Sequence, residues 1–282
     1  MQTLSRRVIT ESCTNMRRLG RERLKGNWNI MVIGILLAAV CVYVPNWILN
    51  NLLGKTETIT EVFTKSGIDL SKYSSLFTSD QLQQFSNTTM HISPVSNIYL
   101  LLVVGTFSFG IIYMMMMLFR ARQTRPSDVF VGFGMYVKTL GLYLYMALFM
   151  MLWSLIPVAG IFLAIIAAFR YSQSFYILFD NPDMPVPAIV AASKYMMMGN
   201  KGKLFCLDLS FIGWALLAVV PSMITSGIAS YCTSSVAIIG LASFVGSAAE
   251  LWVMAYMTAA QTAFYEILIG NIKAETYIPG VY

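Results

Sequence analysis

Six long apolar stretches constrain the fold of this chain more than any other feature of its sequence. An α-helix needs about 20 mostly apolar residues to cross the roughly 30 Å hydrocarbon core of a membrane. Hydrophobic residues make up 57% of the chain and charged residues only 11%. The sequence therefore predicts an all-α integral membrane protein with one membrane domain over residues 1–282. The six predicted transmembrane helices are residues 28–49, 98–119, 139–156, 158–179, 204–225 and 236–265.

The basic residues predict which way these spans face. Of the 19 lysines and arginines, all but Lys55, Lys65 and Lys72 fall in the fourth span or in segments that a six-span topology places on one side. Basic residues accumulate on the cytoplasmic side of short loops. We therefore expect both termini in the cytoplasm and residues 50–97 as an extracytoplasmic loop, which at this length predicts a small helical cap.

The formal net charge is +6. Basic residues that face the anionic lipids of the inner leaflet account for this excess of positive charge. No basic run stands clear of the spans, so the sequence does not predict nucleic-acid binding. Residues 1–27 are rich in arginine and predict a cytoplasmic amphipathic helix in the membrane interface, with a solvated basic tail as the alternative. Residues expected at the membrane surface are Arg17, Arg18, Arg21, Arg23, Lys25, Lys201 and Lys203.

The chain divides into three units, each an amphipathic segment followed by a transmembrane hairpin. They begin near Leu4, Pro126 and Val186. Transporters are often built from repeats, with substrate sites where the repeats meet. Any six-span chain also divides into three hairpins, so both true duplication and its absence stay open.

Residues with catalytic or metal-binding chemistry are scarce. The chain has a single histidine, His91, so we expect no metal site and no cofactor. It has no phosphate-binding loop and no nucleophile motif, which favours a non-enzymatic protein over a membrane-embedded enzyme. Of the four cysteines only Cys232 is expected outside, which argues against an intramolecular disulfide.

Three charged residues inside the predicted spans form the candidate site. Arg170 lies in the fourth span, Asp208 in the fifth and Glu250 in the sixth. All three fall in the inner half of the membrane, where a charged group usually faces a partner or a wet cavity. We therefore expect a shared polar cluster that Gln173 and Gln261 could extend. Either this cluster is structural and joins the spans, or it binds an ion, a proton or a lipid headgroup.

Three short segments of the chain resemble one known family. They are GNKGKLFCLDLSFIGW at 199–214, RLKGNW at 23–28 and AFYE at 263–266. On these segments the chain resembles an uncharacterised family of bacterial membrane proteins, common in Firmicutes and catalogued as domain of unknown function 975. The resemblance implies a helical multi-pass protein of the bacterial cytoplasmic membrane. It implies no activity, because the family carries none that can be transferred.

Two functions from different classes fit these observations. The first is the binding or transport of a small amphipathic or lipid-like ligand through the inner polar cluster. The second is a non-catalytic scaffold, assembly or immunity-type accessory protein that acts through the outer loop and the basic inner rim. The expected partners are lipids of the anionic inner leaflet and other proteins in the membrane, and the oligomeric state is left open.

Overall fold

The computed structural model describes residues 7–58, 89–154, 156, 160–232 and 236–272. Helices make up most of this part of the chain, as the sequence predicts. They are α1 (Cys13–Leu24), α2 (Trp28–Leu53), α3 (Pro94–Phe119), a 3₁₀ helix (Pro126–Met135), α4 (Tyr136–Ser154), α5 (Gly160–Tyr171), α6 (Ser174–Asp180), α7 (Val186–Met196), α8 (Lys201–Leu209), α9 (Ile212–Cys232), α10 (Val236–Gly246) and α11 (Ala248–Ile269). Two short strands, β1 (Lys55–Thr58) and β2 (Thr89–Ile92), complete the elements of the described residues.

Among the described residues, five helical segments are long and apolar enough to cross a membrane, and each overlaps one of the first five predicted spans. They are Trp28–Leu53, Pro94–Phe119, Pro126–Ser154, Phe162–Asp180 and Lys201–Ala229. The sixth predicted span, 236–265, is divided between α10 and α11, which are separated by Ser247. Gly246 lies there against α9, since a Cβ on it would stand 2.5 Å from the Ser222 Cα. A sixth span and the side on which the termini lie stay predictions.

Two further predicted spans are interrupted where the sequence indicated continuous helices. The fourth breaks between α5 and α6 at Ser172 and Gln173, and the fifth breaks between α8 and α9 at Ser210 and Phe211. At each break a serine hydroxyl donates to the carbonyl three residues earlier, at 2.9 Å for Ser172 and 2.6 Å for Ser210. Such local side-chain hydrogen bonds compete with the backbone hydrogen bonds of the helix. Neither break falls at a proline or a glycine.

The N-terminal helix is shorter than the amphipathic segment that the sequence predicts. Residues 7–10 have no regular structure, and Ser12 caps α1 by accepting from the Asn15 backbone amide at 3.2 Å. The Asn200 side chain holds the segment before α1, because its Oδ1 accepts from the Ile9 amide at 2.9 Å and its Nδ2 donates to the Arg7 carbonyl at 2.7 Å.

The apolar face of α1 lies against α11. Met16 and Leu19 are fully buried there, and Gly20 permits close approach, since a Cβ on it would lie 2.9 Å from the Ala260 amide nitrogen. Helix packing within the protein therefore covers the apolar side of this amphipathic helix. Its position at the membrane surface stays a prediction.

Of the described residues, those within 39–104 form one compact unit, and those within 7–38 and 105–272 form another. In the first unit, β1 and β2 pair antiparallel with Lys55 opposite Ile92 and Thr58 opposite Thr89. The Ser96 hydroxyl donates to Asn50 Oδ1 at 2.7 Å. This short ribbon was not predicted, and residues 59–88, where we expected a helical cap, lie outside the described residues.

Candidate functional site

Three of the five residues predicted to share a cluster meet at one cavity. Asp208 on α8 accepts a hydrogen bond at Oδ1 from Gln261 Nε2 on α11, at 3.0 Å. Gln173, at the break before α6, faces the same space. The cavity, which we call the polar pocket, has a volume of about 220 Å³ and is lined by Ala168, Phe169, Ser172, Gln173, Tyr176, Leu204, Asp208 and Gln261.

The helix break before α6 determines how Gln173 faces the pocket. Its Nε2 donates to Ser172 Oγ at 2.9 Å, while the Ser172 hydroxyl donates to the Phe169 carbonyl at 2.9 Å. Because the serine has only one hydrogen, its oxygen can only accept from the glutamine, which fixes the amide orientation. Gln173 is 1% exposed, and its Oε1 has no hydrogen-bond partner among the described residues.

Asp208 has no cationic partner among the described residues. None of the described basic side chains forms an ion pair with it, and its described hydrogen bond occupies one carboxylate oxygen. Its second oxygen therefore has no partner among the described residues. A carboxylate without a partner in a membrane span is energetically costly, so the predicted position of Asp208 in the fifth span favours a bound proton or cation.

The structure does not bring Arg170 or Glu250 to the polar pocket. Arg170 forms no ion pair with either carboxylate, and its backbone carbonyl accepts from the Ser193 hydroxyl at 2.8 Å. Glu250 Oε1 instead accepts from the Ser222 hydroxyl on α9, at 3.2 Å. The reasons are geometric: α5 ends at Tyr171, so Arg170 and Gln173 do not share one helical face. Glu250 also lies about 16 Å along α11 from Gln261 at the usual helical rise.

The basic residues predicted at the membrane surface cluster at two places in the fold. Arg17, Arg18, Arg21 and Arg23 lie on α1 and Lys25 caps its end, while Lys201 and Lys203 form the first turn of α8. Arg18, Arg21 and Lys25 are exposed. Their contact with lipid stays a prediction.

The structure contains a second polar cluster that was not predicted from the sequence. Arg120, directly after α3, pairs with Asp180 at 2.6 Å between Nη1 and Oδ1, and with Glu266 at 3.0 Å between Nε and Oε1. Tyr265 donates to Asp180 Oδ2 at 2.7 Å, and Asn271 donates to Glu266 Oε2 at 2.8 Å. We call these five residues the charged network.

The charged network is paired almost completely. Glu266 is only 2% exposed, yet both of its oxygens accept hydrogen bonds. Burial opposes the charge of Arg120, but the neighbouring Asp180 and Glu266 carboxylates outweigh it and raise the pKa of Arg120 above its ordinary value. The sequence held one signal of this cluster, because Glu266 ends the AFYE segment. From the sequence, Arg120 was only one of the basic residues that predict which way the spans face.

Two cysteines that the sequence analysis treated separately are neighbours. Cys13 Sγ on α1 lies 3.1 Å from Cys206 Sγ on α8, and both are free thiols. The expected placement of both near the cytoplasmic side is compatible with this contact. Spacing along the chain could not reveal it, because the two are 193 residues apart.

Residues 158–271 match the model of one family. That family is described as Protein of unknown function (DUF975). The match supports the resemblance that the sequence motifs indicate and covers every residue that lines the polar pocket. No curated protein and no solved structure matches the chain. The family and the five apolar helices together indicate a membrane protein.

Proposed function

We propose that this protein binds or transports a small amphipathic ligand whose polar end occupies the polar pocket. The observation that carries the proposal is Gln173 Oε1, which is buried and has no hydrogen-bond partner among the described residues, on a side chain that lines the same cavity as Asp208. A buried acceptor without a partner costs about 1–3 kcal/mol. A ligand that donates to Gln173 and Asp208 would recover that free energy.

The shape of the pocket supports a ligand with one polar and one apolar end. Phe169, Leu204 and Ala168 supply apolar contacts beside the polar atoms. A volume of about 220 Å³ is below the roughly 300–1,000 Å³ of sites that enclose a whole drug-sized molecule. It therefore suits the end of a longer molecule.

The helix interruptions also support a binding role. The breaks in the fourth and fifth segments fall next to the pocket, at Ser172 and Gln173 and just after Asp208. Discontinuous helices near the middle of the membrane are typical of substrate sites in transporters. No catalytic step is part of this proposal, and the basic residues of α1 and α8 would contact the anionic inner leaflet.

A pocket-filling variant tests the proposal. Ala168 lines the pocket, whereas Ala164 lies one turn earlier on α5 and does not. We expect an eight-carbon amphiphile (octylammonium, octanol or octanoate) to raise the thermal midpoint of the purified full chain. Ala168→Trp should abolish that rise, and Ala164→Trp should retain it.

If no amphiphile shifts the midpoint, or if both tryptophan variants respond like wild type, the binding proposal is wrong. The scaffold hypothesis would then gain support. It depends on the outer loop, of which residues 59–88 lie outside the described residues.

A further inference from the structure

We propose that the polar pocket selects a cation, and that the polar end of its ligand is an ammonium group. This inference rests on the proposed function and names the chemistry of the ligand. Its basis is the hydrogen-bond pattern at the pocket, in which the donors of Ser172, Gln173 and Gln261 have acceptors while one amide oxygen and one carboxylate oxygen have no described partner.

The two available acceptors follow from the hydrogen-bond pattern. The Ser172 hydrogen goes to the Phe169 carbonyl, which leaves Gln173 Oε1 as the free end of that amide. A carboxylate can only accept, so Gln261 must direct its amide nitrogen at Asp208 Oδ1. In this proposal a ligand that donates binds to the second Asp208 oxygen and to the buried Oε1 of Gln173, a side chain that lines the pocket.

The charge at the pocket favours the same ligand class. Asp208 is the one ionisable acid among the lining residues, and none of them is Lys or Arg. An anionic ligand would meet Asp208 as a like charge without a neutralising cation. An ammonium group would supply the missing partner and up to three N–H donors.

The aromatic lining suits an organic cation better than a metal ion. Phe169 and Tyr176 line the cavity, and aromatic rings attract ammonium groups through their electron-rich faces. Hard metal ions such as Ca²⁺ take six to eight oxygen ligands. Among the described residues, no group of three or more His, Cys, Asp or Glu side chains could hold a metal ion.

The decisive experiment compares three amphiphiles of equal chain length on the full chain in detergent. Octylammonium should bind at least tenfold more tightly than octanol, and octanoate should bind most weakly. Asp208→Asn should reduce octylammonium affinity at least tenfold and leave octanol affinity unchanged. Gln173→Met, which keeps the side-chain length and removes the acceptor, should reduce octylammonium affinity severalfold.

Glu250→Gln is the matched control, because Glu250 is also an acid in a predicted span but does not line the pocket. It should bind octylammonium like wild type. Thermal unfolding of every variant without ligand establishes that each is folded. The two substitutions at different pocket positions keep the test valid if one of them fails to fold.

The outcomes separate this inference from the proposed function. If octanol binds as tightly as octylammonium and Asp208→Asn changes neither, the pocket binds amphiphiles and the ammonium inference is wrong. Tightest binding of octanoate, or displacement of octylammonium by millimolar sodium but not caesium, would also overturn it. If none of the three probes binds, the proposed function fails with it.

Competition experiments identify the source of the ammonium group. Nanodiscs that contain phosphatidylethanolamine should displace octylammonium if the ligand is a lipid headgroup. Free ethanolamine added to nanodiscs of phosphatidylglycerol should displace it if the ligand is a soluble amine. Either result supports the ammonium class, and competition by neither counts against it.

Discussion

The charged network and the polar pocket differ in how completely their polar atoms are paired. In the network, Arg120 contacts two carboxylates, and those carboxylates also accept from Tyr265 and Asn271. In the pocket, Asp208 has Gln261 as its described partner, and Gln173 Oε1 has none among the described residues.

This difference is the basis for assigning the charged network a structural role and for proposing the pocket as a ligand site. A buried polar network whose members are all satisfied makes a fold rigid, whereas a partly satisfied one costs free energy until something binds. From the sequence, charged residues inside the predicted spans were the candidate site. The two clusters differ in how many of their polar atoms have a partner, rather than in how deep their residues lie in the predicted spans.

Removal of Arg120 should have the largest effect on stability. Arg120→Met leaves Asp180 and the buried Glu266 without their cation, which typically costs about 3–5 kcal/mol. Arg122→Met is the control, because Arg122 is an exposed neighbour, and it should change the free energy of unfolding by less than about 1 kcal/mol. Denaturant unfolding in detergent measures both. Equal losses would show that the network does not stabilise the fold.

The same substitution at two aspartates sharpens the comparison. Asp180→Asn weakens hydrogen bonds from Arg120 and Tyr265 and should cost about 2 kcal/mol. Asp208→Asn deprives no described cation of a partner, so its free energy of unfolding should stay within about 1 kcal/mol of wild type. A loss at Asp208 as large as that at Asp180 would place the pocket among the structural clusters.

A disulfide cross-link tests the position of α8, the helix that carries Asp208. Of the changes proposed, we expect it to have the smallest effect on stability. Oxidation with copper phenanthroline should join Cys13 to Cys206, whose sulfurs are 3.1 Å apart. Mass spectrometry of proteolytic fragments should detect the linked peptides, and Cys13→Ser should abolish them. Cross-linking of Cys206 to another cysteine instead would contradict the packing of α1 on α8.

The cross-linking rate should also depend on pH. Burial, and next the hydrogen bond to Cys206, raise the pKa of the Cys13 thiol above its ordinary value. At neutral pH the reactive thiolate is therefore scarcer than for an ordinary thiol. The rate should still rise steeply above pH 9, where an ordinary thiol with a pKa of about 8.5 is already mostly ionised, and a rate that levels off below pH 9 would contradict the raised pKa of Cys13.

Part of the candidate site could be predicted from the sequence. Gln173, Asp208 and Gln261 were identified because polar side chains are conspicuous in apolar helices. The breaks at Ser172 and Ser210 were not predicted, because serine lowers helix propensity only slightly compared with proline. A break ends the helical register, which is why Arg170 did not join Gln173.

The charged network could not be predicted because its contacts join distant parts of the chain. Arg120 is 60 residues from Asp180 and 146 from Glu266. Each of the three stands near the end of a predicted span, where charges are common and carry no particular signal. Only the packing of α3, α6 and α11 brings them together.

By itself the sequence determined that this is a helical chain with several membrane-length apolar segments. That conclusion depends on hydropathy over about 20 consecutive residues, which is a local property. Tertiary structure decided which polar atoms are paired and which remain open. That outcome depends on the rotation and depth of each helix relative to its neighbours, and these are set by side-chain packing between segments far apart in the chain.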